Sequence, residues 1–267
     1  MILAFLNGAL TYLLVGGIAG FLSGLFGIGG GMIVVPALLY IFKYNPFIPA
    51  DQIIRFAVGT SLAIMLLTSL VSIRSHRKLG EVLWSVYQRL WLPISIGVLA
   101  GSIVANFIPT NWLTTIFGVF LLFVSWKMFT GMGRNGPHHF PSRAINHLVC
   151  LFIGLFSGLL GIGGGTLIIP YLTYCGVDPH RITAITVLCS LTIAWIGTLL
   201  FMILGSYELY HSPMTLGYVY WPAMIWVALP SMLFAPIGVK LTYALPIKQL
   251  HYAFMILLFI TAVDLLI

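Results

Sequence analysis

The sequence predicts an all-α polytopic membrane protein built as two inverted repeats. Each repeat is a glycine-broken helical hairpin plus three transmembrane helices, giving about eight membrane segments. Three observations carry this. First, 60% of the 267 residues are hydrophobic and only 6% are charged, where soluble domains carry about 25% charge. A mean hydropathy of +1.09 says the same, and the apolar stretches are long enough for helices rather than alternating barrel strands. Second, one glycine-rich stretch occurs twice: LSGLFGIGGGMIVVP at 22–36 and FSGLLGIGGGTLIIP at 156–170. Third, the basic residues sort to one side of the membrane only if each glycine-rich stretch turns the chain back.

The segments follow in order. The N-terminal MILAFLNGAL lacks the positive region of a signal peptide, so it reads as the start of the first membrane segment. Apolar segments then run over roughly 8–26, 31–43, 53–73, 90–107, 112–131, 145–160, 165–176, 182–204, 219–243 and 249–267. Two of them, 31–43 and 165–176, fall short of the ~20 residues a crossing needs. Both directly follow a glycine cluster. Turn-rich connections lie at 44–52, 74–89, 108–111, 132–144 and 205–218. The stretch MGRNGPHHFPSRA at 132–144 combines glycine, prolines, histidines and arginines, which marks it as a linker. It divides the chain into a first membrane repeat (1–131), a cytoplasmic linker (132–144) and a second membrane repeat (145–267).

The duplication is explicit. A shift of 134 aligns 20–36 with 154–170 at ten identities in seventeen positions, including Gly27 with Gly161, Gly29–Gly31 with Gly163–Gly165, and Pro36 with Pro170. A looser echo pairs AVGTSLAIML (57–66) with ITVLCSLTIA (185–194). Paired interruptions in two halves are the best sequence pointer to a transporter binding site. If each broken pair is one crossing, the twelve Lys and Arg split seven against five. If each is a hairpin, only Lys43 and Arg55 fall on one side and the other ten on the opposite side. The hairpin satisfies the positive-inside rule far better. It also inverts the second half, places the linker in the cytoplasm of a cell (inner) membrane and leaves both termini outside.

Glycine permits positive φ and close backbone approach, and a helix broken at depth survives only inside protein or a polar cavity. The breaks are expected at Gly29–Gly31 and Gly163–Gly165, with short helices starting near Met32 and Thr166 and Gly27, Pro36, Gly161 and Pro170 as helix-break residues. A helix N-terminus offers free N–H groups and partial positive charge, which suits an anion. The outer glycines, Gly16, Gly20, Gly24, Gly154 and Gly158, read instead as small-xxx-small packing positions. A nucleotide-binding loop fits poorly, since no P-loop lysine follows.

Other polar residues divide between roles. Thr60, Ser61 and Ser190 stand in apolar segments, to donate to a substrate or back to their own helix. Ser23 and Ser157 line the cradle or serve as small interface residues. Asp51 and Asp178 precede helices as N-caps, and Arg55 reads as a snorkelling side chain near a membrane end. The five acids, Asp51, Asp178, Asp264, Glu81 and Glu208, all lie near segment ends or in loops, so no mid-membrane carboxylate supplies a proton relay. No HExxH or intramembrane Asp pair appears, and Cys150, Cys175 and Cys189 form no CxxC. No metal, cofactor or catalytic residue is expected. The net charge of +7 reads as cytoplasmic loops at anionic lipid rather than nucleic-acid binding.

Two copies of SGLxGIGGGxxxxP, each opening one half of an eight-segment membrane protein, resemble the sulfite exporter TauE/SafE family. The resemblance spans nearly the whole chain. It implies a membrane permease for small sulfur-containing anions such as sulfite, sulfonates and related organic acids. The two halves depart from a perfect duplication where GTS (59–61) faces LCS (188–190). The expected function is transport of a small anion, with export as the direction the family name implies. Substrate lies between the repeats, held around Gly29, Gly30, Gly31, Gly163, Gly164, Gly165 and Thr166 and helped by Thr60, Ser61 and Ser190. A passive anion channel, or a membrane-embedded enzyme or assembly factor, are the alternatives. The expected partners are the small anion and the lipid bilayer, with a homo-oligomer left open.

Overall fold

The computed structural model describes residues 2–26, 30–77, 83–129, 140–177, 179–208, 214–242 and 247–266. Ten α-helices appear among them: α1 (Ile2–Phe26), α2 (Gly31–Phe42), α3 (Ile53–Arg77), α4 (Trp84–Phe107), α5 (Thr110–Phe129), α6 (Arg143–Leu160), α7 (Gly165–Tyr174), α8 (Pro179–Glu208), α9 (Trp221–Thr242) and α10 (Ile247–Leu266). One 3-10 turn (Ala50–Gln52) precedes α3. A minimal antiparallel hairpin, β1 (Thr215–Leu216) and β2 (Val219–Tyr220), joins α8 to α9, with Thr215 opposite Tyr220. The linker residues 132–139, with His138 and His139, and also Asp178, lie outside the described residues.

This is an all-α polytopic membrane protein. Five of the described helical stretches are long and apolar enough to cross a bilayer: Ala50–Ile73, Trp84–Phe107, Arg143–Leu160, Arg181–Tyr207 and Trp221–Gly238. Each predicted apolar segment became a helix, and the few charges within them, such as Arg55, Lys127 and Asp264, lie near segment ends. The two short ones stayed short: α2 has 12 residues and α7 has 10. Large apolar side chains such as Trp112, Trp126 and Leu233 remain exposed on the outside of the bundle, as a lipid-facing surface requires.

The most extensive pairings are α1 with α9, α4 with α6, α3 with α8, and α5 with α10. Every one joins a helix from the first five to a helix from the last five. Glycines set the two tightest. A methyl placed on Gly16, Gly20 or Gly24 would lie 2.4 Å from Val227 O, 2.4 Å from Ser231 Cα or 2.0 Å from Ala235 O. The contacts rise together along both chains, so α1 and α9 run parallel. On the other side, a methyl on Gly154 or Gly158 would lie 2.2 Å from Ile94 O or 2.7 Å from Val98 O, and α6 runs parallel to α4. The central pair runs the other way: Gly59 lies against Phe201 and Gly197 against Leu62. In α5 and α10, Gly118 lies against Leu266, and Ser125 Oγ donates to Met255 O at 3.2 Å, so these too are antiparallel.

The outer glycines are therefore packing positions. A Cβ at Gly20 collides with α9 backbone, whereas one at Gly17 meets only the Phe234 ring, at 3.7 Å. Gly20→Ala is expected to destabilise by about 1–3 kcal/mol, and Gly17→Ala to be neutral or to stabilise by about 0.5–1 kcal/mol. Thermal unfolding of the two purified variants in detergent checks the contrast.

Candidate functional site

Helix α6 stops at Leu160 because Gly161 turns left-handed, at φ 68° and ψ 26°. Its N–H, and that of Ile162 at 3.2 Å, turn back to Ser157 O. Two tight turns follow, with Gly164 N–H donating to Ile162 O at 2.7 Å and Gly165 N–H to Gly163 O at 2.6 Å. Gly164, at φ 64°, then caps α7, and Leu167 and Ile168 donate to its carbonyl. In that first turn the Thr166 N–H has no backbone acceptor among the described residues. The first break is built alike: Gly30 caps α2 at φ 65°, and Ile33 and Val34 donate to Gly30 O at 3.0 Å. Gly27, Ile28 and Gly29 lie outside the described residues.

Pro36 and Pro170 do not mark the breaks. Both lie inside the short helices. Each occupies the sixth helical position, where its missing N–H frees one carbonyl of the first turn without ending the helix. Left-handed glycine ends α6, and left-handed glycine starts α2 and α7.

The two breaks touch. A methyl on Gly31 would lie 2.5 Å from Gly161 O and 3.3 Å from Gly163 N. The loop carbonyls left over at this crossing are satisfied by hydroxyls: Ser61 Oγ on α3 donates to Gly161 O at 3.1 Å, and Ser190 Oγ on α8 donates to Gly163 O. Neither bonds back to its own helix. Both serines are buried, and their protons are committed to the second break in this conformation. Thr60 faces elsewhere, with its Oγ1 accepting from Tyr220 N–H at 3.1 Å. The structure thus gathers Gly31, Ser61, Gly161–Gly165 and Ser190 at one point, and hands Thr60 to the β-hairpin.

Two hydroxyls beside α7 have no partner among the described residues. Ser157 Oγ and Thr166 Oγ1 are both buried, and Ser157 Oγ stands 3.5 Å from where a Gly164 methyl would be. A buried hydroxyl without a partner is costly; both stand near the open Thr166 N–H, where the buried Ile168 and Ile193 side chains pack at Gly164. Beside α2 is a cavity of about 20 Å³ walled by Ser23, Gly30, Gly31, Ser61, Thr68 and Ser231 among others. That is room for one water, so the site is closed here. Sequence reasoning passed over Ser231 and Thr68. Ser231 Oγ donates to Gly16 O at 2.7 Å, so only the α1–α9 register shows it to be part of this wall. No group of three or more His, Cys, Asp or Glu among the described residues is placed to hold a metal.

Arg55 is not a snorkelling side chain. Its guanidinium donates to Asn106 O at 3.0 Å and Ile108 O at 3.2 Å, closing the last carbonyls of α4, and it lies 6.0 Å from the Tyr218 ring centroid. Asp51 lies within the 3-10 turn, whose N-cap is Pro49, and its backbone carbonyl accepts from Thr110 Oγ1.

The two capping glycines differ in surroundings. A Gly164 methyl would meet Ile193 Cδ1 at 2.5 Å and Ile168 Cδ1 at 2.9 Å, while a Gly30 methyl meets only Ser23, at 3.5 Å or more. Both substitutions carry the left-handed penalty of about 1–2 kcal/mol, and Gly164→Ala adds overpacking. Gly164→Ala is expected to lower the melting temperature more than Gly30→Ala, as thermal denaturation of both variants will show.

Known proteins of similar sequence are named as membrane transporters. Residues 12–265 match the family described as Sulfite exporter TauE/SafE. A probable membrane transporter protein of Haemophilus influenzae is 28% identical over 256 residues, covering 96% of this chain and 97% of that protein. One of Methanocaldococcus jannaschii is 32% identical over 247 residues, covering 90% and 88%. One of Bacillus subtilis is 25% identical over 188 residues, covering 63% and 68%. With the doubled glycine break spanning both halves of the matched region, the chain belongs to the sulfite exporter TauE/SafE family.

Proposed function

We infer that this protein is a membrane transporter that exports a small, sulfur-containing anion, such as sulfite or a sulfonate, by alternating access. The observation that carries this reading is the meeting of the two breaks, Gly31 against Gly161–Gly163, beside two helix N-termini and buried hydroxyls. Amide-rich helix ends favour negative charge, and broken helices paired across two halves are where transporters place their substrates. The family match and the relatives' names support transport.

The same reading treats residues 1–131 and 145–267 as inverted repeats. Support comes from helix direction. If each broken pair were one crossing, α3 would run parallel to α8, and α5 to α10. The contacts of Gly59 with Phe201 and Gly197 with Leu62, and of Ser125 with Met255, instead fit hairpins that return to their own side. Positive charge then places the 132–144 linker in the cytoplasm and both termini outside a cell membrane. One half, or its hairpin, rocks against the other to expose the site to alternate sides. The closed cavity of about 20 Å³ favours a carrier over a passive pore.

Counterflow in proteoliposomes tests the transport reading. Labelled sulfite outside is expected to accumulate transiently when unlabelled sulfite or a small sulfonate is loaded inside, and to saturate with concentration. Flux that is linear and indifferent to the internal anion indicates a channel, and no flux of any anion removes the reading. Sidedness has its own check. Single cysteines at Arg143 and Lys43, in a background without the native cysteines, are expected to react with an impermeant reagent from opposite sides of the membrane.

A further inference from the structure

The two halves are not equal at their glycine breaks, and the difference is built into side-chain size. The shift of 134 relates α1 and α2 to α6 and α7, and the GTS–LCS correspondence relates α3 to α8. The glycine contacts relate α9 to α4: Gly20 faces Ser231 where Gly154 faces Ile94, and Gly24 faces Ala235 where Gly158 faces Val98. Walls of the first-half cavity can therefore be compared with their second-half equivalents. Ala19, Val34, Ser231 and Ala235 line the cavity, while Ile153, Ile168, Ile94 and Val98 stand at the matching places. All four of the latter are 5% exposed or less. Two positions go the other way: Met65 and Thr68 in the first half match Ala194 and Gly197 in the second. At Gly197 the space is met by Leu62, and Ile193 Cδ1, with that of Ile168, lies against Gly164.

The polar groups are distributed differently as well. Hydroxyls of Ser23, Ser61, Thr68 and Ser231 stand on the walls of the first cavity; the second half keeps equivalents of the first two, Ser157 and Ser190, replaces the other two by Gly197 and Ile94, and places the buried hydroxyls of Ser102 and Thr166 at its own break. Ser61, Thr68 and Ser231 now donate to the carbonyls of Gly161, Met65 and Gly16, which keeps the empty site satisfied. A hydroxyl redirects its proton by rotation alone, so each can turn to a bound oxyanion. Among the described residues, no Lys, Arg or His lines the cavity. The described groups that could neutralise an ion there are hydroxyls and the α2 N-terminus. Desolvation cost rises with the square of charge, so a dianion loses roughly four times as much hydration as a monoanion of equal size. With only hydroxyl and amide donors described around the cavity, a monoanion is the easier ion to hold.

We propose that the substrate is bound as a monoanion in the first-half cavity alone, by Ser23, Ser61, Thr68, Ser231 and the α2 N-terminus, and that the second-half cradle is a filled structural counterpart. This rests on the transport reading above and names its site and the charge of its substrate. The test is isothermal titration of purified full-length protein with methanesulfonate and with sulfate, which share a sulfur oxyanion head but carry one and two charges. Ala235→Val copies the second half's bulk into the first, and Val98→Ala does the reverse. Thr68→Val removes a hydroxyl without changing shape, and keeps the test decisive where a bulk change upsets folding.

Wild type is expected to bind methanesulfonate and to bind sulfate at least about tenfold more weakly. Ala235→Val and Thr68→Val are expected to weaken methanesulfonate about 10- to 100-fold, and Val98→Ala to leave it unchanged. Sulfate binding as tightly as methanesulfonate overturns the proposal. So does a loss in Val98→Ala equal to that in Ala235→Val. In both cases an anion still binds, and the transport reading stands. If neither anion binds wild type and counterflow also fails for every anion, both readings fall together.

Discussion

Backbone left unpaired inside a membrane protein has to be answered by protein, because lipid offers no hydrogen bond. This requirement governs the centre of the molecule. Breaking α6 at Gly161 frees carbonyls that no helix ladder absorbs, and Ser61 and Ser190 supply the missing donors from α3 and α8. The central helices are thus tied to the break by name and by register. Moving either by one residue turns its hydroxyl away and strands a carbonyl. The tight turns at Gly164 and Gly165 consume two further amides, and what remains open is the Thr166 N–H with the hydroxyls of Ser157 and Thr166. The same accounting that holds the break together leaves a small surplus of donors beside it.

A second constraint holds the halves to one another. In lipid, helices gain little from hiding apolar surface, so close packing decides which pairs form. The glycine rows of α1 and α6 let the carbonyl-bearing backbones of α9 and α4 approach to distances no side chain would allow. Each broken helix therefore packs against an unbroken helix of the opposite half. This exchange makes the breaks meet: α1 carried along α9 and α6 along α4 bring Gly31 to Gly161. Relative motion of the halves has to slide or tilt these same rows.

The β-hairpin adds an asymmetry with no counterpart described in the first half. Tyr218 is fully buried, with Phe56 and Phe201 edge-on to its ring and its N–H donating to Phe201 O at 3.1 Å. Gly59 and Gly205 allow its backbone to lie directly on α3 and α8, and Arg55 ties the same corner to the end of α4. One end of the central helix pair is thereby sealed, and Thr60 is satisfied by the hairpin rather than left facing the breaks.

Composition and periodicity by themselves determined the class and the run of apolar helices, and pointed to glycine as the residue that interrupts them. Those depend on chain-local physics: apolar runs long enough to cross, and glycines that take φ near 65° without a Cβ clash. The duplication also made it plain that whatever one break does, a second does nearby. Local signal misled at Pro36 and Pro170, because a proline one turn into a helix removes a bond without stopping it, and at Arg55, whose acceptors lie some 50 residues away. Only the tertiary structure decided that Ser61 and Ser190 serve the loop carbonyls, that Thr60 belongs to the hairpin, and that Ser231 and Thr68 wall a cavity. It alone showed that Ala19 and Ala235 leave space where Ile153 and Val98 fill it. Each of these depends on which helices lie side by side and in what register, and that is set by backbone approaches between helices more than 50 positions apart in sequence, which no short window of sequence contains.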